Sequence, residues 1–103
     1  DQEAQYREHL TKLDDGLSDL EALNQQIKRA IQTGIPLAKQ KVKLQLASYQ
    51  AGKTNLSNVI AVRQTLLEQQ LRLIDLQQQQ AITTAQLFFT FEEPTLNHIG
   101  EQP

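Results

Sequence analysis

Two stretches of helical periodicity meet at Tyr49-Gln50-Ala51-Gly52-Lys53-Thr54-Asn55-Leu56, and that turn decides what the chain can fold into. Apolar residues recur at helical spacing up to Tyr49, then resume at Leu56 and run to Phe91 without Pro or Gly. Gly52 can enter the left-handed region that ends a helix at little cost. Thr54 or Asn55 can then accept a hydrogen bond from the free N–H groups that open the next helix. The pattern predicts an all-α fold: a long antiparallel, coiled-coil-like helical hairpin. Its parts are a first helix over 1–49, kinked near 34–36, a tip turn over 50–55, a second helix over 56–91, and a loop or tail over 92–103.

In the first arm, Leu10, Leu13, Leu17, Leu20, Ile27 and Ile31 follow the three-and-four spacing of a helix seam. Asn24 lies on that seam and is expected to weaken it. Gly16 costs about 1 kcal/mol relative to Ala inside a helix. Pro36, after Gly34, removes a backbone donor and presses on the preceding turn, so a kink or short break is expected there. The pattern continues through Leu37, Ala38, Val42, Leu44, Leu46 and Tyr49.

The second arm carries two adjacent heptad series. One is Ile60, Leu67, Ile74, Ala81 and Phe88; the other is Val59, Leu66, Leu73, Gln80 and Leu87. Together they make an apolar face wide enough for more than one neighbour. A hairpin uses a single seam, so further helices are expected around it. The Gln77–Gln80 run sits inside this pattern and reads as helix surface. Pro94 then opposes easy continuation, which is why a loop or tail is expected over 92–103.

A chain of 103 residues allows one domain at most. Its net charge of -2 is too weak to argue for nucleic acid or an acidic lipid surface as partner. No apolar run is long enough to span a membrane as a helix. The absence of Cys removes thiolate chemistry and Cys-based metal sites. The chain begins at Asp1 in mid-pattern, with neither Met nor an evident cap, and reads as a portion of a larger protein.

Candidates for chemistry are few. His9 and His98 stand at opposite ends of the chain, without a second ligand at metal-binding spacing. Asp14, Asp15, Asp19 and Glu21 form an acidic patch, and Lys39, Lys41 and Lys43 a basic one; both read as solvated helix surface. Phe88, Phe89 and Phe91 read as helix-packing residues. No phosphate loop, nucleophile elbow or catalytic triad is present, so no enzyme activity, cofactor or metal is expected. The turn, which carries a single charge at Lys53, is placed to meet another protein.

The run Ala47-Ser48-Tyr49-Gln50-Ala51-Gly52-Lys53, then Leu56, Val59-Ile60 and Arg63-Gln64-Thr65-Leu66-Leu67-Glu68, resembles the outer membrane efflux proteins of the TolC type. Ile35-Pro36-Leu37-Ala38 is similar to the Pro-containing stretch that precedes this motif in heavy-metal and multidrug members. The resemblance covers 17–91. It implies the second of two repeated helical hairpins, a fragment of a trimeric α-barrel in the periplasmic portion of an outer membrane protein of a Gram-negative bacterium. It further implies that the tip docks a periplasmic adaptor protein and, through it, an inner-membrane pump, in a conduit that performs no chemistry. Ala51, Gly52, Lys53 and Thr54 would form the adaptor-contact tip, while Tyr49 and Asn58 would belong to the entrance constriction. TolC-type members with a charged entrance carry Arg at the position of Thr54 and Asp at those of Asn58 and Ala61. Here closure would rest on packing and on neutral hydrogen bonds from Tyr49 and Asn58. Two other readings share the hairpin: a soluble helical interaction module, and the coiled-coil arm of a membrane fusion adaptor.

Overall fold

The structure is a computed structural model that describes the backbone of residues 1–101 and the side chains of residues 1–90. Its elements are α1 (Gln2–Arg29), a π-helical turn (Ala30–Gly34), α2 (Ile35–Gln50) and α3 (Leu56–Glu101). The first arm, α1 through α2, returns along α3 as a long helical hairpin, and no strand occurs among the described residues. By packing, the chain divides into a tip unit, residues 25–77, and a terminal unit, residues 1–24 with 78–103.

In the tip unit the arms meet around Ile27, Ala38, Val59 and Leu76, the buried residues among those described. The inward positions of α3 alternate by three and four through Val59, Val62, Leu66, Gln69, Leu73 and Leu76. That is the seam of a left-handed coiled-coil pair. The first arm keeps the same alternation through Ile27, Ala30 and Gly34, then gains one residue before Ala38 and Val42. The π-helical turn supplies that residue: the Ile35 N–H donates to the Ala30 carbonyl, five residues back. One residue is about 100° of rotation in an α-helix. Without the extra residue, Leu37, Lys41 and Leu44 would face the partner arm. With it, Ala38 and Val42 do, and Lys41 stays in solvent.

The expected kink near 34–36 is thus a π-helical turn followed directly by α2, with Pro36 in its first turn. In an unbroken α-helix the Pro36 ring would press on the carbonyl of Gln32. A wider turn immediately before it relieves that contact. Gly34 faces Gln69 at this level, where an added Cβ would lie 3.3 Å from the Gln69 Oε1.

In the terminal unit the inward positions are Leu13, Gly16, Leu20 and Leu23 on α1, against Gln80, Thr83, Leu87 and Thr90 on α3. Gly16 has a use that its helix propensity hides. The Leu87 side chain lies over it, and a Cβ there would overlap that side chain. Asn24 is likewise not a bare weakness, because the Gln80 Nε2 donates to its Oδ1 across the arms.

Other expectations are corrected. The α1 start is capped: the Asp1 carboxylate accepts the Glu3 N–H at 3.1 Å. Leu10, Leu17 and Ile31, expected on the seam, are exposed. The loop or tail expected over 92–103 is helix as far as Glu101, with 102–103 outside the described residues. Pro94 removes one donor, the one that would reach the Thr90 carbonyl, and a helix can lose a single such bond without ending.

Candidate functional site: the hairpin tip

Local hydrogen bonding alone builds the tip. At the end of α2 the Lys53 N–H donates to the Ser48 carbonyl at 2.8 Å, and the Gly52 N–H to the Tyr49 carbonyl at 3.0 Å. This six-to-one and five-to-two pair is a Schellman motif, which requires a left-handed residue just past the helix end. Gly52 supplies it with φ +73, the only positive φ among the described residues. Apart from its chain neighbours, no residue has an atom within 4 Å of where its Cβ would be, so the outer face of the turn is open.

The second half of the turn starts α3. The Asn55 Oδ1 accepts the Asn58 N–H at 3.0 Å, so of the two expected caps it is Asn55 that caps the helix. Asn58 returns its own side-chain N–H to the Thr54 Oγ1 at 2.7 Å. The two bonds tie 54–58 into one unit.

The predicted tip residues therefore come together. Ala51, Gly52 and Lys53 are exposed and consecutive, and Thr54 is half-buried beneath the Asn58 amide. Tyr49 is 42% exposed, one turn before the apex. The Asn58 side-chain amide donates one of its two N–H groups within its own turn.

The remaining candidates stay apart. His9 is half-buried on α1, and the side chain of His98 lies outside the described residues. No group of three or more His, Cys, Asp or Glu that could hold a metal occurs among the described residues. Asp15 and Asp19 line a shallow groove with Lys12, whose cation opposes a cation site there. Phe88 and Phe89 stack edge to face, with centroids 6.2 Å apart at 78°, and both are exposed. They are thus not packing residues of the hairpin itself; the Phe91 side chain lies outside the described residues. No helix among the described residues is long and apolar enough to cross a membrane.

One feature was missed by counting charge over the whole chain. The tip unit holds eight Lys and Arg against Glu68 and Asp75, a formal charge of +6. The terminal unit holds two against ten acids, -8, and the two values together give the chain's -2. A running charge count along the sequence would have found the division. All eight cations of the tip unit are exposed.

The apolar surface divides as sharply. Of the two heptad series, Val59, Leu66, Leu73, Gln80 and Leu87 face the partner arm. Ile60, Leu67, Ile74 and Phe88 point away, each 53–59% exposed. In the comparisons with known proteins, no family model, no curated protein and no solved structure matches this chain.

Proposed function

We propose that this chain is a periplasmic helical segment of a trimeric outer membrane efflux channel, forming part of the tunnel wall and docking an adaptor protein at its tip. The observation that carries the reading is the tip itself. Gly52 is held left-handed by the Schellman bonds, open on its outer side and flanked by exposed Ala51 and Lys53. A turn locked by its own backbone presents the same surface before and after binding, so little ordering entropy opposes docking. The Tyr49-x-x-Gly52 turn and the Arg63-Gln64-Thr65-Leu66-Leu67 run carry the resemblance to TolC-type proteins at the same place.

The outward series Ile60, Leu67 and Ile74 supports the wall. A helix in a closed barrel needs a neighbour on each side, whereas a solitary hairpin needs one seam. Transport through such a wall involves no bond-making, so the segment is proposed to act as conduit and docking element, with the adaptor and an inner-membrane pump as partners.

The test replaces Gly52 in the full-length gene by Trp and, separately, by Ala. Both impose the left-handed strain of about 1 kcal/mol, but only Trp adds bulk to the open face. Trp is expected to abolish cross-linking to the periplasmic adaptor and export-dependent resistance, at an unchanged level in the outer membrane, while Ala keeps both. Resistance unchanged in the Trp variant would overturn the docking role, and a product confined to a soluble fraction would favour the small helical interaction module.

A further inference from the structure

The tip unit has exposed apolar stripes on both arms, and each stripe has a cation set within it. On α2 the residues are Leu37, Lys41 and Leu44, spaced by four and three. On α3 they are Ile60, Arg63 and Leu67, spaced by three and four. That spacing puts each triplet on one face of its helix. All six residues are exposed, the four apolar ones by 49% to 68%. On α2 this face exists because the π-helical turn rotated Ala38 and Val42 inward in its place.

A cation inside an apolar helix seam selects what packs on it. Covered by an apolar residue it would be a desolvated charge without a counterpart, and covered by a cation it would be repelled. A carboxylate at the facing position answers it, which is how charges in coiled coils choose partners. Among the described residues neither Lys41 nor Arg63 has an acidic group within ion-pair distance; the Arg7–Glu3 pair belongs to the terminal unit. The tip unit supplies just two acids against its eight cations.

We infer that each stripe of the tip unit packs against an acidic helical surface, an apolar heptad seam carrying Asp or Glu: one opposite Lys41 and another, on the other side of the hairpin, opposite Arg63. The inference rests on the wall proposed above, in which a helix has a neighbour on each side, and names the chemistry of those neighbours. A parallel copy of this chain is the wrong occupant, since it would set a +6 unit against another +6 unit. An anionic membrane or a nucleic acid is also a poorer fit. Those surfaces want basic residues in a dense cluster; Lys39, Lys41 and Lys43 lie near one another on α2, but each stripe holds one cation between exposed Leu or Ile residues.

The experiment measures binding of the full chain to a four-heptad helical peptide with Leu in its seam and Glu at every flanking position. A twin peptide carries Lys for Glu. Like charge keeps each peptide from pairing with itself. The chain is expected to bind the Glu peptide at least about tenfold tighter than the Lys twin. The preference should collapse as salt rises from about 50 mM to about 500 mM. The double variant Lys41→Glu/Arg63→Glu, both at exposed positions, should keep its helical circular dichroism and reverse the preference.

Equal binding of the two peptides, or no binding of either, overturns the inference. So does charge-dependent self-association of the chain in sedimentation, which would make a second copy the occupant. Binding to phosphatidylserine vesicles or duplex DNA as tight as to the Glu peptide overturns it too. Loss of resistance in the Gly52→Trp variant without any Glu-peptide preference would leave the docking role standing and remove the acidic partner. A Glu-peptide preference with resistance intact in that variant would do the reverse.

Discussion

The tip unit and the terminal unit are made from the same two helical arms, and they differ in what lies between them. Between the arms of the tip unit are Ile27, Ala38, Val59 and Leu76, all buried. The terminal unit buries no residue to that degree among the described ones. Its seam is filled by Gly16 under Leu87, by the Asn24–Gln80 hydrogen bond, and by Thr83 and Thr90. Heptad spacing is unbroken along α3 through both units, so periodicity brings the arms together in each. What differs is the apolar content at the inward positions. Buried apolar area is the main favourable term in helix pairing, and the tip unit should hold most of the hairpin's stability. The seam of the tip unit has one flaw, a buried Gln45 Oε1 without a hydrogen-bond partner.

The comparison can be broken most directly at the seam. Leu76→Ala should cost about 2–3 kcal/mol, as for a large-to-small change at a buried site. Leu20→Ala, at a half-buried site of the terminal unit, should cost about 1 kcal/mol. Urea unfolding gives the two costs, and hydrogen exchange should show amides near Val59 closing more tightly than those near Leu87. Equal costs would mean that the two seams are equivalent.

A second test concerns register. Deleting Thr33 together with Pro36→Ala should turn the π-helical turn into plain α-helix and leave Ala38 and Val42 inward. Melting temperature is expected to hold or rise. Deleting Glu21 has no such slack, rotates one side of the terminal seam by about 100°, and should cost about 2 kcal/mol. A Thr33 deletion as harmful as the Glu21 deletion would show that the extra residue does not set the register.

The smallest effects are at the helix starts. Asn55→Ala removes the cap of α3 and should cost about 1 kcal/mol. In the terminal unit, Glu3→Gln breaks the exposed 3.0 Å pair with Arg7 and should cost less than about 0.5 kcal/mol. Thermal unfolding at low and high salt separates them, because only the second effect is screened.

The hairpin was legible because its signals are local. Gly52 followed by Asn55 spells a helix end and a helix start, and the structure uses both as the spacing predicts. The tip residues 51–54 were legible for the same reason, since a turn places its own residues side by side. Which apolar series faces inward was not legible. Val59 and Ile60 are equally apolar and one residue apart, and only the position of the other arm distinguishes them. The same ambiguity affects Leu10, Leu17 and Ile31, which fit a seam by spacing and are exposed in the fold. The end of α3 was not legible either, because Pro94 is a common helix terminator and yet removes only a single backbone bond.

Composition and spacing by themselves determined that this chain is two helices joined at Gly52, since 3.6-residue periodicity and a left-handed glycine act within a few residues of chain. They also contained the charge division, which needs nothing beyond counting. Tertiary structure decided the rest. Inward facing is a property of a pair of helices, and the π-helical turn that sets it for α2 forms where Pro36 and the partner arm make competing demands on the same backbone. Packing chose Ala38 and Val42 for the seam and left Lys41 in water, because a lone cation costs far more between two helices than outside them.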